Sequence, residues 1–170
     1  TYHVPAPCKD EVKVLYADDD IVLVDKPAGL LSVPGRILKD SAFQRLLYEF
    51  PDLSVVHRLD LDTSGLMVFA NSRTAVAKLN RQFRERSIAK TYEALVFGRV
   101  SEHSGRIELP IGPDPNNRPL RRVDFEKGKQ SLTLFELIKA GEGRSRLRLK
   151  PITGRSHQLR IHLMAIGHPI

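Results

Sequence analysis

Residues 144–150 constrain the fold more than any other segment, because arginine or lysine alternates there with serine or leucine. Successive side chains of a β-strand point to opposite faces, so the pattern predicts a strand with Leu147 and Leu149 on its buried face. The opposite face would carry four cations, which are Arg144, Arg146, Arg148 and Lys150. Like charges on neighbouring positions repel one another, and an anionic partner would relieve that repulsion. The segment therefore predicts a sheet with one apolar face and one face suited to an anion.

The rest of the chain alternates short apolar runs with turn residues, which is typical of a sheet with helices packed on it. Further strands are predicted over residues 12–16, 21–24, 90–97, 105–110 and 131–138, and residues 111–122 are predicted to be a loop. Helices are predicted from Asp40 or Ser41 to about Phe50, from Asn71 or Ser72 onward, and up to Gly167, the last with an apolar stripe of Leu159, Leu163 and Ile166. Together these elements predict an α+β fold around a mixed, largely antiparallel sheet with flanking helices and loops.

The composition favours an anionic partner. Lysine and arginine number 27 against 20 aspartate and glutamate residues, giving a net charge of +7, and a basic balance suggests nucleic acid or another anionic surface. Cys8 is the only cysteine, so no internal disulfide can form and a reducing, cytoplasmic setting is expected. The sequence contains neither an apolar run long enough to cross a bilayer nor the pattern of a signal peptide, so no membrane association is expected.

A dense group of polar residues lies between two apolar runs at residues 55–70, and Asp60 and Asp62 are its candidate catalytic groups. The segment lacks the clean apolar strand that precedes the Asp-x-Asp motif of aspartyl phosphatases. It also has one residue too many for the Asp-Thr/Ser-Gly motif of aspartic proteases. Carboxylates two residues apart seldom have the separation that a glycosidase needs. Asp60 could still be a nucleophile or general base kept ionised by a cation, or one half of a buried ion pair with an arginine.

The histidines do not have the spacing of a metal site. His157 and His162 are five residues apart, so on a helix they differ by about 140° and do not share a face. The His-Glu-x-x-His pattern, the P-loop and the Rossmann glycine pattern are all missing from the sequence. Basic side chains are more frequent: Lys78, Arg81, Arg84 and Arg86 lie mainly off the buried stripe of the second helix. That face is either a phosphate-binding surface or an ordinary solvated one.

Four stretches carry long motifs. They are Lys26-Pro27-Ala28-Gly29-Leu30, His57-Arg58-Leu59-Asp60-x-x-Thr63-Ser64-Gly65-Leu66, Lys90-Thr91-Tyr92, and Leu149-Lys150-Pro151-x-Thr153-Gly154-Arg155-x-His157-Gln158-Leu159-Arg160-x-His162-Leu163. Taken together and in this order along the chain, they resemble the motifs of the RluA family of RNA pseudouridine synthases. The resemblance covers the chain from about residue 12 to its end. Residues 30–36 and 117–119 further resemble the branch of that family that is of the dual rRNA/tRNA type.

The resemblance implies a pseudouridine synthase catalytic domain over residues 11–170, preceded by an N-terminal arm of residues 1–10. Such a domain isomerises specific uridines in structured RNA by base flipping, aspartate-dependent cleavage of the glycosidic bond and reattachment through C5. The implied substrate is 23S rRNA, with the tRNA anticodon stem-loop as a candidate second substrate. Asp60 matches the catalytic aspartate, Tyr92 the tyrosine that stacks on the target base, and Arg155 the arginine that pairs with the aspartate. The carboxylate could add to the sugar, add to the base or act through a glycal.

The resemblance also implies how RNA would be held. Arg58 matches a residue that enters the space left by the flipped nucleotide. The other residues expected to bind RNA are Lys26, Arg36, His57, Arg84, Arg118, Arg144, Arg146, Arg148, His157 and Arg160. No metal and no organic cofactor is implied. The expected partner is structured RNA, and the expected state is a cytoplasmic monomer.

One departure from the family pattern concerns the end of the chain. Members of the family continue past Gly167-His168-Pro169 with Leu-Gly-Asp, and later with a Leu-His-Ala strand that lines the uracil pocket. The domain is therefore expected to be incomplete at its C-terminus. This expectation leaves an alternative function open, that of an inactive or truncated relative acting as an RNA-binding module.

Overall fold

The computed structural model describes residues 6–117 and 120–170, and the chain divides into two compact units, Thr1–Ser87 and Ile88–Ile170. The strands of the first unit are β1 Lys13–Ala17, β2 Ile21–Lys26, β3 Ser54–Val55 and β4 Gly65–Ala70. Its helices are α1 Ala42–Leu46 and α2 Arg73–Glu85. The four strands form one antiparallel sheet in the order β1-β2-β4-β3. The connection between β2 and β3, which contains α1, therefore takes the chain past β4, so that β3 pairs with the edge of β4 opposite to β2.

Each helix of the first unit begins at the second of its two predicted cap positions, because a serine caps each of them, but α1 ends at Leu46 and not near Phe50 as predicted. The Ser41 hydroxyl accepts a hydrogen bond from the Gln44 amide at 3.1 Å, and the Ser72 hydroxyl accepts one from the Ala75 amide at 3.1 Å. Such bonds satisfy one of the amide groups that the first turn of a helix leaves without a partner. The Ser72 hydroxyl also donates to the Asp20 carboxylate at 2.6 Å, which ties the start of α2 to the turn between β1 and β2.

The second unit contains six strands and one helix among its described residues. They are β5 Tyr92–Phe97, β6 Ser104–Glu108, β7 Ile111–Pro113, β8 Arg121–Val123, β9 Leu132–Ala140, β10 Arg144–Pro151 and α3 Gln158–Ala165. Four of the strands form an antiparallel sheet in the order β5-β10-β9-β6, and β7 pairs with β8 as a separate hairpin. The strand with the clearest sequence pattern, β10, thus lies between β5 and β9 and is hydrogen-bonded on both edges.

The alternation of β10 has the predicted consequence. Leu147 and Leu149 are fully buried, and the four cations between and beside them are at least partly exposed. The core of the second unit forms around these leucines, and its buried members are Val96, Val100, Ile107, Leu147, Leu149 and Leu163. Because Leu163 belongs to α3, this core joins the helix to the inner face of the sheet.

The predicted α+β class with largely antiparallel pairing is confirmed, since a bridge between Leu31 and Ser41 is the one parallel pairing among the described residues. Two details differ from the prediction. The strands form two four-stranded sheets instead of one, and the predicted loop at 111–122 contains β7 and β8. The hairpin closes through side chains near its turn: the Asn117 amide group donates to the Asp114 carboxylate at 2.9 Å. Strand periodicity could not reveal strands of three residues.

The described part of the predicted N-terminal arm forms neither helix nor strand over residues 6–10. It is nevertheless attached to the first unit, because the Arg45 guanidinium donates to the backbone oxygens of Cys8 and Asp10, each at 2.6 Å. The same guanidinium forms an ion pair with Asp40 at 2.7 Å. No helix among the described residues is both long and apolar enough to span a bilayer.

Candidate active site

Asp60 lies on the segment between β3 and β4, residues 56–64, which we call the aspartate loop. The side chain of Asp60 is half-buried, whereas that of Asp62 is exposed. The Thr63 amide donates to the Asp60 carbonyl at 3.1 Å and closes a turn that begins at Asp60. The two aspartates therefore occupy different environments although they are separated by one residue.

The backbone immediately before Asp60 is held by a serine from a distant segment. The hydroxyl of Ser32 donates to the Leu59 carbonyl at 2.7 Å and accepts from the Leu59 amide at 3.0 Å. Ser32 and Leu59 are both buried. One side chain thus satisfies both backbone groups of the residue that precedes Asp60, and buried groups of this kind need such partners.

The backbone immediately after Asp60 is held by Lys26. The Lys26 ammonium donates to the carbonyl of Leu61 at 3.1 Å, and its two other bonds go to Pro27 at 2.8 Å and Leu30 at 2.7 Å. The Leu61 carbonyl also accepts from the Gly29 amide at 2.9 Å. An ammonium group has three N–H donors, and all three are used here within the protein.

Burial sets the electrostatics of this lysine. Lys26 is fully buried, and loss of hydration lowers its pKa from the usual value. The negative charges of Asp62 and Asp60 act in the opposite direction and favour the ammonium form of Lys26. The prediction that Lys26 contacts RNA is therefore wrong, because the ammonium points into the protein and its donors bind backbone carbonyls.

His57 connects the aspartate loop to α2. Its Nε2 accepts a hydrogen bond from the Val68 amide at 3.0 Å, so this nitrogen carries no proton and the ring is held against β4. The ring stacks on Phe83 of α2 with a centroid distance of 4.8 Å and an interplanar angle of 29°. His57 thus has a structural role in this unit, and its predicted RNA contact stays a prediction.

In the second unit, Lys90 lies close to the segment that carries Arg155. Tyr92 opens β5 opposite Leu149 of β10 and packs half-buried against the core. A methyl group on Gly154 would lie 3.4 Å from the Lys90 ammonium, so Lys90 reaches the segment between β10 and α3. We call that segment, residues 152–157, the arginine loop.

The arginine loop is held by the side chain of Gln158 at the start of α3. The Gln158 side-chain oxygen accepts from the Arg155 amide at 3.0 Å and from the Thr153 hydroxyl at 2.8 Å. The backbone N–H of Gln158 in turn donates to the Arg155 carbonyl at 3.2 Å. Gln158 and Thr153 are buried, so the backbone of Arg155 is fixed from the protein interior.

Gln158 is itself part of a buried polar network. Its side-chain nitrogen donates to Thr133 Oγ1 at 3.0 Å, and this hydroxyl lies 3.0 Å from His162 Nδ1. His162 Nε2 lies 3.0 Å from the Leu109 carbonyl, which can only accept, so Nε2 carries the proton and Nδ1 accepts from Thr133. Burial lowers the pKa of His162. The network is therefore complete with a neutral imidazole.

Asp60 belongs to the first unit, whereas Tyr92 and Arg155 belong to the second. The structure brings Tyr92 and the arginine loop into one unit, and it brings Asp60 together with Lys26, Ser32 and His57 in the other. Arg155 is half-buried, and its Nε is buried with no hydrogen-bond partner among the described residues. The pairing of Arg155 with Asp60 stays a prediction.

The predicted RNA-binding cations differ in what surrounds them. Six are exposed, namely Arg36, Arg58, Arg84, Arg144, Arg146 and Arg160. Arg148 and His157 are half-buried, and Arg118 lies outside the described residues. On β10, Arg146 pairs with Glu93 at 3.6 Å, and Arg148 pairs with Glu136 at 3.1 Å. Arg144 lies 5.4 Å from the centre of the Phe97 ring. The β10 arginines therefore already have partners within the chain.

Ser32 and Thr133, which belong to the hydrogen-bond networks that hold the two loops, were missed by the sequence analysis. Ser32 stands within the apolar run Leu31–Val33 and Thr133 within the run Leu132–Leu134. A polar residue at the inward position of an apolar run is the signal that would have found them, because a buried hydroxyl needs a hydrogen-bond partner. Among the described residues, no three His, Cys, Asp or Glu side chains are placed to hold a metal ion.

Comparison with known proteins gives a consistent picture. The model of a family described as RNA pseudouridylate synthase matches residues 20–165. The chain is 51% identical over 164 residues to the dual-specificity RNA pseudouridine synthase RluA of Vibrio parahaemolyticus, covering 92% of this chain and 66% of that protein. It is 49% identical over 160 residues to the protein of the same name from Yersinia pestis, covering 92% of this chain and 78% of that one.

A solved structure resembles the fold over nearly all of the chain. The human RNA pseudouridylate synthase domain containing 1 has a TM-score of 0.81 and 30% sequence identity, covering 98% of this chain and 69% of that one. The chain spans 66% of the length of the Vibrio relative. The similarity therefore includes both units, together with the aspartate and arginine loops.

Proposed function

The chain belongs to the RluA family of RNA pseudouridylate synthases, and from this premise we propose that it converts specific uridines in structured RNA to pseudouridine. The proposed substrates are 23S rRNA and the tRNA anticodon stem-loop. Support for two substrates comes from relatives that are named dual-specificity enzymes and share about half of their aligned residues with this chain. The net charge of +7 suits an RNA partner.

The reaction is an isomerisation in which atoms and electrons balance within the substrate. The bond between N1 of uracil and C1′ of ribose breaks, the ring turns, and C5 forms a new bond to C1′. C5 loses its proton and N1 gains one, so no oxidant or reductant is needed. The uridine has to leave its stack before a protein side chain can reach C1′. Base flipping is therefore part of the proposal.

The chemistry is assigned to three side chains. In the proposal the Asp60 carboxylate acts on the glycosidic bond, the Tyr92 ring stacks on the flipped base and assists the late loss of the C5 proton, and Arg155 is the counter-charge of the aspartate. An aromatic platform suits any unstacked base. A neighbouring cation favours the ionised carboxylate. Tyr92 is suited to its role because it stands on a strand anchored to β10.

The observation that carries the proposal is the fixation of Asp60. The backbone groups on both sides of Asp60 are hydrogen-bonded to Lys26, the last residue of β2, and to Ser32 in the loop that follows. A catalytic group held in one position avoids the entropy loss of being ordered in the transition state. Neighbouring Asp62 is exposed and has no such role here.

The experiment compares Asp60→Asn with the matched control Asp62→Asn. Release of tritium from RNA labelled at C5 of uridine reports the reaction directly, and single-turnover conditions separate chemistry from product release. We expect Asp60→Asn to lose at least about 10²-fold in rate, since a general acid or base contributes about 10²–10⁴-fold. Asp62→Asn should stay within about threefold, which is less than one unpaired hydrogen bond would cost.

Two results would overturn parts of the proposal. Turnover retained by Asp60→Asn would remove Asp60 from the chemistry. RNA binding by the wild-type chain without any tritium release would instead favour the alternative function of an RNA-binding module. The proposal includes action as a cytoplasmic monomer, which is supported by the lone cysteine and by the supply of all candidate residues from one chain. Light scattering with and without RNA tests the monomer.

A further inference from the structure

Helix α2 has two chemically distinct faces. Its inner face contains buried Ala75 and half-buried Val76, Leu79 and Phe83. Its outer face carries four exposed cations, which are Arg73, Lys78, Arg81 and Arg84; we call this set the α2 cationic face. At about 100° per residue, the four positions lie within an arc of about 140°. The helix thus presents a continuous basic surface.

Most of the charge on this face is not neutralised within the chain. Arg81 pairs with Glu85 at 2.9 Å, and both side chains are well exposed. Among the described residues, no carboxylate lies within ion-pair distance of Arg73, Lys78 or Arg84. An exposed pair of this kind is worth little, typically 0–1 kcal/mol. The α2 cationic face therefore keeps a net positive charge.

The outward-facing cations of β10 give the contrast. We call Arg144, Arg146, Arg148 and Lys150 the β10 cationic face. Glu93 and Glu136 pair with two of its arginines, and the ring of Phe97 lies beneath a third. The carboxylates of Glu93 and Glu136 offset two of the four positive charges on this face, whereas Glu85 offsets one of the four on α2. The two faces thus have equal numbers of cations, but the α2 cationic face keeps more net positive charge for an anion to bind.

Most of the charge on α2 does not serve the stability of the helix, Arg84 in the last turn being the exception. Arg73 occupies the first turn, where the macrodipole favours negative side chains, and that turn contains no acidic residue. Lys78, Arg81 and Arg84 follow at spacings of three residues, where like charges repel. A run of cations that disfavours its own helix is explained either by an external anion or by chance. A second feature of α2 favours the external anion.

That second feature is the attachment of α2 to the aspartate loop. Phe83, on the inner face, stacks on His57 at 4.8 Å, and His57 is three residues before Asp60. Arg84 follows Phe83 directly and lies on the outer face. Arg73 and Arg84 are about 16 Å apart along the helix axis, a length suited to several successive phosphates. The cationic face is therefore fixed in the same unit as the residue that would act on the uridine.

We propose that the α2 cationic face binds the phosphate backbone of the RNA that contains the reacting uridine, and that the β10 cationic face does not carry this contact. The inference rests on the proposed function, because it takes the RNA substrate as its ligand. Phosphate contacts of this type set register and affinity but carry no sequence information. The α2 face therefore holds any suitable RNA near Asp60, and the choice of uridine is made elsewhere.

Two variants with equal loss of charge test the proposal. One is Arg73→Gln/Lys78→Gln/Arg84→Gln on α2, and the control is Arg144→Gln/Arg146→Gln/Arg148→Gln on β10. Glutamine is a good helix former, and circular dichroism checks that both proteins fold. The probe is a synthetic RNA stem-loop with a uridine in its loop, bound at a series of KCl concentrations. Each lost phosphate contact lowers the slope of log K against log salt by about 0.7–0.9.

We expect the α2 variant to lose about 2 in slope and 10- to 100-fold in affinity near 0.1 M salt, and the β10 variant to lose less than threefold. Equal losses would show that only net charge matters and would overturn the proposal. A larger loss for β10 would overturn it too. Failure of the proposed function would give a different result. The wild-type protein would then release no tritium, but the two variants would still differ in RNA affinity, and the α2 proposal would stand.

Lysine footprinting on the wild-type protein tests the same proposal without any variant, so its result does not depend on whether a variant folds. Lys78 is the one lysine of α2, and Lys150 is its counterpart on β10; both are exposed. An amine-acylating reagent should modify both in the free protein. With saturating RNA, modification of Lys78 should fall at least about fivefold while that of Lys150 stays within about twofold, as expected for a contacted and a non-contacted lysine. Protection of Lys150 alone, or of neither lysine, would contradict the proposal.

Discussion

The aspartate loop and the arginine loop are held in different ways, although each carries a candidate catalytic residue on an irregular segment. The aspartate loop is fixed by a buried charge, the Lys26 ammonium, together with the Ser32 hydroxyl. The arginine loop is fixed by a neutral amide, Gln158, whose bonds continue through Thr133 to His162. In both cases the anchoring side chains come from outside the loop.

The difference affects what each loop tolerates. A buried ammonium has lost its hydration and depends on all three of its carbonyl partners. The same ammonium contributes a positive charge near Asp60, whose own negative charge favours the protonated lysine. The neutral network around Gln158 has no such electrostatic link to its loop. Substitution should therefore affect the aspartate loop more severely than the arginine loop.

The largest expected effect is that of Lys26→Met, which keeps the length of the side chain but removes the charge. Hydrogen bonds to charged groups contribute about 1.5–3 kcal/mol each, and three are lost. Unfolding by urea should show a loss of at least about 4 kcal/mol, with turnover falling in parallel. Lys39→Met is the matched control, because the Lys39 ammonium makes one exposed bond to Gly35. A loss below about 1 kcal/mol for Lys26→Met would contradict the anchoring role.

A smaller effect is expected for Gln158→Leu in the arginine loop. The substitution keeps the size of the side chain but leaves the Arg155 amide and Thr133 with fewer partners. The expected loss is about 2 kcal/mol in the free energy of unfolding, as for a few neutral bonds in a buried network. The control is Met164→Leu, because the side chain of Met164 is on the same helix and is exposed. If Gln158→Leu destabilised the protein more than Lys26→Met, the proposed difference between the loops would be wrong.

The smallest effect concerns pH. Burial lowers the pKa of His162 below its usual 6.5, so the unfolded chain takes up a proton at a higher pH than the folded chain. The stability due to neutral His162 is complete above pH 6.5 and is lost as the pH falls through the folded-state pKa. The slope for one proton is at most about 1.4 kcal/mol per pH unit.

Denaturation of the wild type and of His162→Gln at a series of pH values measures this term. We expect the variant to be less stable at pH 7.5 and to show a shallower pH dependence below pH 6.5. Equal pH dependence in both proteins would mean that His162 does not titrate differently on folding. The aspartates with lowered pKa, Asp18, Asp40, Asp114 and Asp124, act at lower pH because their usual value is 3.8.

Much of the fold follows from local sequence patterns. The alternation in β10 predicted that strand, and the polar residues at 40–41 and 71–72 predicted the starts of α1 and α2, because each signal depends on neighbouring residues alone. The buried face of α3 was only partly predicted. Ile166 is 38% exposed instead of buried, whereas Gln158 and His162 are fully enclosed. These polar residues face inward because partners on β9 and beside β7 satisfy them, and no helical pattern contains that information.

The prediction of the candidate site depended more on the resemblance to a known family than on local sequence patterns. The family predicted from the motifs is confirmed by the matching family model and relatives, but the residues alone left Asp60 either in catalysis or in an ion pair. Lys26 shows the limit most clearly. A lysine beside proline and glycine suggests a loop that binds phosphate, and its inward direction depends on carbonyls of Leu30 and Leu61 that only the folded loop brings together.

The central claim is that the hydrogen-bonded backbone of Leu59 and Leu61 places the Asp60 carboxylate for the reaction. The most direct test is the single-turnover rate of Asp60→Glu, which keeps the charge but moves the carboxylate by one methylene. A displacement of about 1 Å can cost about 10²-fold in rate. We predict a loss of at least that size with RNA affinity and stability unchanged. A rate within about threefold of the wild type would contradict the account, because a misplaced carboxylate should not retain full activity.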